Sequence, residues 1–261
     1  MRIQQIYAVY FSPTENTRRI VCQGASEAAR LFQVPCRAIS LNLPKDRETV
    51  HTFSAGDLVI VGGPTYAGKL PNKILPTYQE KLIGKGALAL AVVTYGNRSF
   101  DNSLAELCAT LDGNGFRTVA AGAFVGTHAF SDVLAPDRPD KDDLALMVRL
   151  TDMAVSKIRQ TDGMVPRLVV DGDARAPYYV PKGVDGQPAK FLKAKPKTDL
   201  EKCVSCGLCA RQCPMGSIDP DQPSVVTGIC IKCQRCVRNC PHGAKYFDDP
   251  AFLSHVKMLE T

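Results

Sequence analysis

The sequence predicts an α/β domain built on a doubly wound, five-stranded parallel sheet, followed by a small α+β domain organised by cysteine. Three observations predict this. Apolar runs of strand length alternate with helical patterns across residues 1–165. Eight of the eleven cysteines fall near the C-terminus in two copies of one spacing. Between these regions, residues 166–197 are rich in proline and lysine and lack either periodicity. The expected organisation is a first domain over 1–165, a linker over 166–197, a second domain over 198–250 and a C-terminal tail over 251–261.

In the first domain, apolar runs at residues 6–11, 58–63, 87–94 and 119–125 read as strands buried on both faces, with a shorter fifth strand at 34–39. Helical patterns occupy 17–32, 73–83, 102–112 and 140–159. Such alternation implies right-handed crossovers and helices on both faces of the sheet. Ligands of such sheets bind beyond the carboxyl ends of the strands, so the loops there are where chemistry is sought.

Three of those loops carry a pattern. The first strand runs into Ser12-Pro13-Thr14-Glu15-Asn16-Thr17 and then a helix, which offers hydroxyls, an amide and free backbone N–H groups to an anion. The strand at 58–63 runs into Pro64-Thr65-Tyr66-Ala67-Gly68, and the strand at 87–94 ends in Thr94-Tyr95-Gly96-Asn97. Tyr66 and Tyr95 are placed to flank a flat heterocycle in a chain without tryptophan.

The second domain follows from its cysteines. Cys203, Cys206, Cys209 and Cys213-Pro214 are repeated 27 residues later as Cys230, Cys233, Cys236 and Cys240-Pro241. This C-x2-C-x2-C-x3-C-P run is that of bacterial two-cluster ferredoxins, whose fourth cysteine ligates the other cluster. It assigns Cys203, Cys206, Cys209 and Cys240 to one [4Fe–4S] cluster, and Cys230, Cys233, Cys236 and Cys213 to the other. A tight loop presents three thiolates, the fourth arrives from elsewhere, and the exchange ties together a domain too small for a sufficient apolar core. Zinc ribbons use two C-x2-C pairs, and a disulfide framework suits a secreted chain, whereas no signal-peptide pattern opens this one.

The three loops, taken as an ordered set, resemble the flavodoxin fold, and the chain as a whole resembles bacterial flavodoxin–ferredoxin fusion proteins. The resemblance implies FMN, its phosphate in the first loop and its ring between the other two. It assigns Ser12, Thr14, Asn16, Thr17, Pro64, Thr65, Tyr66, Ala67, Gly68, Thr94, Tyr95, Gly96 and Asn97 to cofactor binding. The family's phosphate loop commonly reads [ST]-x-T-G-x-T; Ser12, Thr14 and Thr17 match, while Glu15 replaces the glycine. A carboxylate there repels phosphate, so Glu15 is expected to point to solvent.

Smaller readings complete the picture. His128, after the strand at 119–125, is the candidate catalytic proton or hydrogen-bond donor; a structural or solvent-facing histidine is the competing reading. Cys22, Cys36 and Cys108 read as buried small hydrophobes. His242 is a candidate for hydrogen bonding near a cluster, and Arg211, Lys232, Arg235 and Arg238 offset cluster charge or form a solvated face. The net charge of +6 concentrates in 166–198, where seven basic residues face three acidic ones; this reads as a solvated linker or a landing strip for an acidic partner. Tyr178 and Tyr179 suggest that the linker packs on a domain.

No membrane-spanning stretch or nucleic-acid-binding pattern is present, so a cytoplasmic protein acting on a redox partner protein or a small-molecule electron acceptor is expected. Clusters pass single electrons and flavins pass one or two, which points to an electron-transfer flavoprotein of anaerobic-type metabolism. The alternatives are an FMN-dependent reductase of a small unsaturated or quinone-type substrate, and a cluster-bearing ligand-sensing module. A homodimer is the alternative source of contact between flavin and cluster.

Overall fold

The computed structural model describes residues 2–161 and 165–261; residues 162–164, at the expected end of the first domain, lie outside the described residues. The chain runs β1 (Gln5–Tyr10), α1 (Asn16–Phe32), β2 (Cys36–Ser40), β3 (His51–Ser54), β4 (Asp57–Pro64), α2 (Leu75–Lys81), β5 (Leu82–Lys85), β6 (Leu88–Tyr95), α3 (Ser103–Gly113), β7 (Arg117–Val125) and α4 (Lys141–Gln160). The second part contributes β8 (Lys197–Thr198), α5 (Leu208–Arg211), α6 (Arg235–Arg238), β9 (Lys245–Tyr246) and α7 (Pro250–Glu260).

Five strands form one parallel sheet in the order β2-β1-β4-β6-β7. This is the flavodoxin-like order, with the chain reversing direction across the sheet between β1 and β4. Alternate residues of each strand supply two cores. Ile6 and Ala8 of β1 pack toward α1 and α4 with Ile20 and Met147. Val9 and Phe11 pack toward α2 and α3 with Tyr78 and Leu107. Tyr78 is wholly buried and its hydroxyl donates to Gly62 O at 2.8 Å, fixing α2 under the carboxyl end of β4.

Two features depart from the expected elements. The helix expected over 73–83 stops at Lys81, because Leu82 and Ile83 enter β5, which pairs in parallel with β3 as a separate two-stranded sheet. The expected tail over 251–261 is α7: Asp249 caps it by accepting from Phe252 N at 2.9 Å, and Pro250 fills its first turn.

The cysteine repeat is repeated in the backbone. Helices α5 and α6 lie 27 residues apart, as do three pairs of left-handed residues: Ser205 and Lys232, Gly207 and Gln234, Gly216 and Gly243. One backbone path is thus used twice. The antiparallel β8–β9 pair and the Ile218–Val226 bridge hold the two halves together.

The linker is not a solvated tether. Asp173 N donates to Asn102 Oδ1, Tyr178 Oη to Leu70 O and Tyr179 N to Ala67 O, each at 2.8 Å, so 173–179 lies along the first domain. Lys195 Nζ then donates to Val226 O at 2.8 Å and Lys197 pairs with Asp248 in the second domain. Part of the lysine excess is thereby consumed by the fold itself.

Candidate cofactor sites

The carboxyl ends of β1, β4, β6 and β7 open into a cavity of about 570 Å³. Its floor is the three loops singled out by sequence. Ser12 N donates to Asn42 Oδ1 at 2.6 Å, and Ser12 Oγ accepts from Arg18 N at 3.0 Å. The first-turn N–H groups of Asn16 and Thr17 have no preceding helical carbonyl and are left for a ligand. Thr17 Oγ1 and Thr94 Oγ1 share a hydrogen bond of 2.7 Å, and Asn16 Nδ2 donates to Thr127 O at 3.0 Å. Three loops distant in sequence are therefore locked around one anion-receptive helix start.

Glu15 takes a left-handed backbone conformation of the kind that favours glycine. Its φ is +68°, and its carboxylate turns away from the cavity to Arg18 Nη1 at 3.0 Å and Arg235 Nη1 at 3.2 Å. The anion cradle is thus free of the charge that threatened it. The carboxylate meets a cation of the second domain, a role the sequence reading did not foresee.

The second loop closes as a tight turn: Tyr66 N donates to Lys69 O and Lys69 N to Tyr66 O, with Ala67 at φ +49° and Gly68 at φ +79°. A Cβ on Gly68 would lie 2.5 Å from Asp101 Oδ2, so glycine is required there on both counts. Beneath the turn, buried Lys69 Nζ meets Glu106 Oε1 at 2.9 Å and donates to Ala174 O and Ala176 O. Burial raises the Tyr66 hydroxyl well above its usual range, and the nearby Cys233 and Cys230 thiols push in the same direction.

Of the residues expected to bind a cofactor, Ser12, Thr14, Asn16, Thr17, Pro64, Thr65, Tyr66, Ala67, Gly68, Thr94, Tyr95 and Gly96 all line the cavity. Asn97 does not. It sits at φ +66° and is exposed, while Gly96, Arg98 and Ser99 on either side of it line the cavity. Tyr95 packs against Phe100, ring centres 5.5 Å apart.

The roof was not legible from sequence. It comes from the linker through Tyr178, Tyr179, Phe191 and Leu192, and from α7 through His255 and Leu259. Arg98 stacks on the Tyr179 ring at 4.2 Å. Phe252 of α7 joins Phe130, Phe191 and Phe247 in an aromatic cluster that holds the roof in place. His128 lines the cavity, its Nδ1 accepting from Phe130 N at 3.1 Å. Burial, then proximity to His255 and Arg238, lowers its pKa to about 4, so its ring is neutral. Of the other cysteines Cys108 is buried and Cys22 half-buried, but Cys36 is exposed on edge strand β2, contrary to its reading as a core residue.

Each set of four cysteines assigned by the repeat lines its own void. Cys203, Cys206, Cys209 and Cys240 surround one, together with His242, and Cys213, Cys230, Cys233 and Cys236 surround the other. Among the described residues no three His, Cys, Asp or Glu side chains converge closely enough to hold a single metal ion. Ser217 N approaches Cys213 Sγ at 3.4 Å and Ala244 N approaches Cys240 Sγ at 3.3 Å, at equivalent positions of the repeat, and Lys232 N approaches Cys230 Sγ at 3.4 Å.

The two voids differ in setting. Cys206 is exposed and Cys233 buried. Burial raises the Cys230, Cys233 and Cys236 thiols, Cys236 to about 12; at Cys240 burial is outweighed by backbone N–H donors, and its pKa falls. Cys230 lines both the inner void and the large cavity, and its neighbours Ile231 and Lys232 also line the cavity.

Basic residues clasp the domains. Arg235 Nη1 donates to Pro13 O and reaches Ser12 O, while Arg238 donates to Ala129 O, His128 O and Ser131 O and pairs with Asp132. Both guanidinium groups are thus spent on carbonyls and carboxylates of the first domain. Arg235 Nε is the one buried side-chain nitrogen or oxygen among the described residues without a hydrogen-bond partner.

A family model described as a 4Fe-4S binding domain matches residues 196–219, and a second of that description matches 227–246. The C-terminal part therefore carries two 4Fe-4S binding modules on a chain whose first domain has the flavodoxin-like fold. Among solved structures, a flavodoxin from Streptococcus pneumonia TIGR4 is 17% identical at a TM-score of 0.42, covering 59% of this chain and 99% of its own. An oxidised flavodoxin 2 from Bacillus cereus is 15% identical at 0.42, covering 59% and 99%. The apo form of an NADH:FMN oxidoreductase (EMOB) is 19% identical at 0.43, covering 59% and 89%. No curated protein matches the chain. Among the described residues, no helix is long and apolar enough to cross a membrane.

Proposed function

We infer that this chain is an iron–sulfur flavoprotein that passes electrons between two [4Fe–4S] clusters and an FMN seated in the large cavity. The observation that carries the reading is the position of Cys230, which lines both the cavity and the inner cysteine void. When bound, the clusters supply one-electron exchange and FMN exchange of one or two electrons.

The residues present fit these groups. Cys203, Cys206, Cys209 and Cys240 would hold the outer cluster, and Cys213, Cys230, Cys233 and Cys236 the inner one. The orphaned Arg235 Nε–H, between Cys233 and Cys236, suits a neighbour rich in sulfur acceptors. The start of α1 would hold the FMN phosphate, with Glu15 already turned away. Lys232 places a buried cation on the wall between cavity and inner void, its Nζ donating to Leu192 O and Cys230 O. Exposed Cys206 marks the outer module as the side that meets a redox partner.

One observation favours a second reading, a reductase of a small acceptor. The cavity is roofed by the chain's own linker and α7, whereas a pure carrier presents an open flavin edge. In that reading His128 is the candidate hydrogen-bond or proton donor.

Purification without oxygen, followed by flavin, iron and sulfide analysis, tests the assignment. It expects one FMN with about eight iron and eight sulfide per chain. Full clusters without flavin would defeat the FMN site, and about four iron would defeat the two-cluster assignment.

A further inference from the structure

His128 and His255 face the cavity from different elements, one in the loop after β7 and one on α7. Their Nδ1 atoms are committed to the backbone in opposite senses. His128 Nδ1 accepts from Phe130 N at 3.1 Å, so the ring proton of neutral His128 sits on Nε2. His255 Nδ1 lies 2.7 Å from Lys182 O, and a carbonyl only accepts, so His255 Nδ1 carries the proton and its Nε2 is a bare lone pair. Burial lowers the pKa of both, which keeps both neutral near pH 7.

Among the described residues neither Nε2 has a hydrogen-bond partner, yet neither is a buried orphan, a condition met by Arg235 Nε alone. Both rings line the cavity. One wall thus offers a fixed donor and a fixed acceptor, each held by a backbone bond that leaves the ring no choice of tautomer. The surrounding surface is aromatic: Phe130 packs on His128 with centres 5.2 Å apart, and Phe191 stacks on His255 at 5.3 Å and 28°.

A ketone or ether oxygen can accept from His128 but has nothing to give His255. A carboxylate meets the same mismatch, having no proton for His255 Nε2. A neutral hydroxyl satisfies both partners at once, and a flat ring behind it suits the phenylalanines. We propose that His128 and His255 form a subsite for the hydroxyl of a phenol- or hydroquinone-type aromatic ligand, His128 Nε2–H donating to its oxygen and His255 Nε2 accepting its proton. This deepens the reductase reading by naming a ligand class, the reduced form of a quinone-type acceptor among its members.

The test is equilibrium dialysis on the full chain purified without oxygen, with methyl 4-hydroxybenzoate and methyl 4-methoxybenzoate as probes. The two share a ring and an ester and differ in whether the oxygen can donate. The hydroxyl probe is expected to bind at least about tenfold tighter, a preference worth about 1.4 kcal/mol. His255→Phe, which keeps an aromatic ring on Phe191, is expected to reduce the preference below about twofold with FMN content unchanged. Equal binding of the two probes to the unaltered protein overturns the subsite whatever the variants do. A preference that survives in His255→Phe overturns the role of His255, and loss of FMN from that variant shows a flavin-holding residue instead. If the chain binds no FMN, the flavin reading fails by itself, and the same pair of probes on the flavin-free chain still decides the subsite.

Discussion

Replacing Lys69 by methionine removes one charge and little volume from the place where the first domain grips the linker. Lys69 is 8% exposed and Glu106 7%; their ion pair spans 2.9 Å, and Glu106 Oε2 also accepts from Leu70 N at 2.8 Å. With the ammonium gone, Glu106 keeps one donor and its charge is stranded. Stranding one member of a buried pair costs about 3–5 kcal/mol. The Ala174 and Ala176 carbonyls are half-exposed and can be rehydrated, so they add less. At about 2–4 °C per kcal/mol for a chain of this size, the melting midpoint should fall by roughly 6–20 °C. Adding Glu106→Gln removes the stranded charge, so the double variant should regain at least half of the loss. Trypsin should also cut faster after Arg175, since the roof strand loses its clamp. A Lys69→Met midpoint within about 2 °C of the parent, or a double variant less stable than the single, would refute the reasoning.

Three further outcomes are expected. Cys230→Ala should lower iron to about four per chain and leave FMN bound but no longer reduced through the outer cluster; iron and flavin analysis with anaerobic titration checks this. Glu15→Gly should be nearly neutral in stability, because relief of about 1–2 kcal/mol of left-handed strain offsets two ion pairs worth about 0.5 kcal/mol each and the entropy of an added glycine. Flavin affinity in a fluorescence titration should change by less than about threefold, because the Glu15 carboxylate already points out of the cradle and is paired with Arg18 and Arg235. Folded His128 resists protonation until about pH 4, whereas the unfolded chain takes that proton near its ordinary 6.5. Stability is therefore full above about pH 6.5 and drains away as the pH falls toward 4, by about 3 kcal/mol at this site, and His128→Asn should flatten that part of a denaturation-versus-pH profile.

Much of this was legible because it was periodic. Strands such as β4 and β6, buried on both faces, are continuous apolar runs, and the cysteine spacing has few other physical meanings. The two short parallel strands β3 and β5 were not legible, since four residues show no period and Leu82-Ile83 extends the apolar pattern of the preceding helix. Helix α7 was announced by Asp249-Pro250, a cap and a first-turn proline, but so short a terminal segment reads as a tail without the aromatic cluster that holds it. Asn97 alone of its loop is left out of the cavity lining, its backbone left-handed and its side chain exposed, which spacing does not reveal. The roof over the cavity and the Arg235–Glu15 clasp depend on how two domains dock, and no local pattern encodes that contact.

The most direct test of the account is the concentration dependence of flavin reduction. With the anaerobically purified protein photoreduced by a low-potential one-electron donor held in excess, bleaching of the flavin is followed over a hundredfold range of protein concentration. If Cys230 joins the inner cluster to the flavin cavity of the same chain, the step from cluster to flavin keeps one rate throughout. A rate that rises in proportion to protein concentration would show electrons passing between chains and contradict the relay.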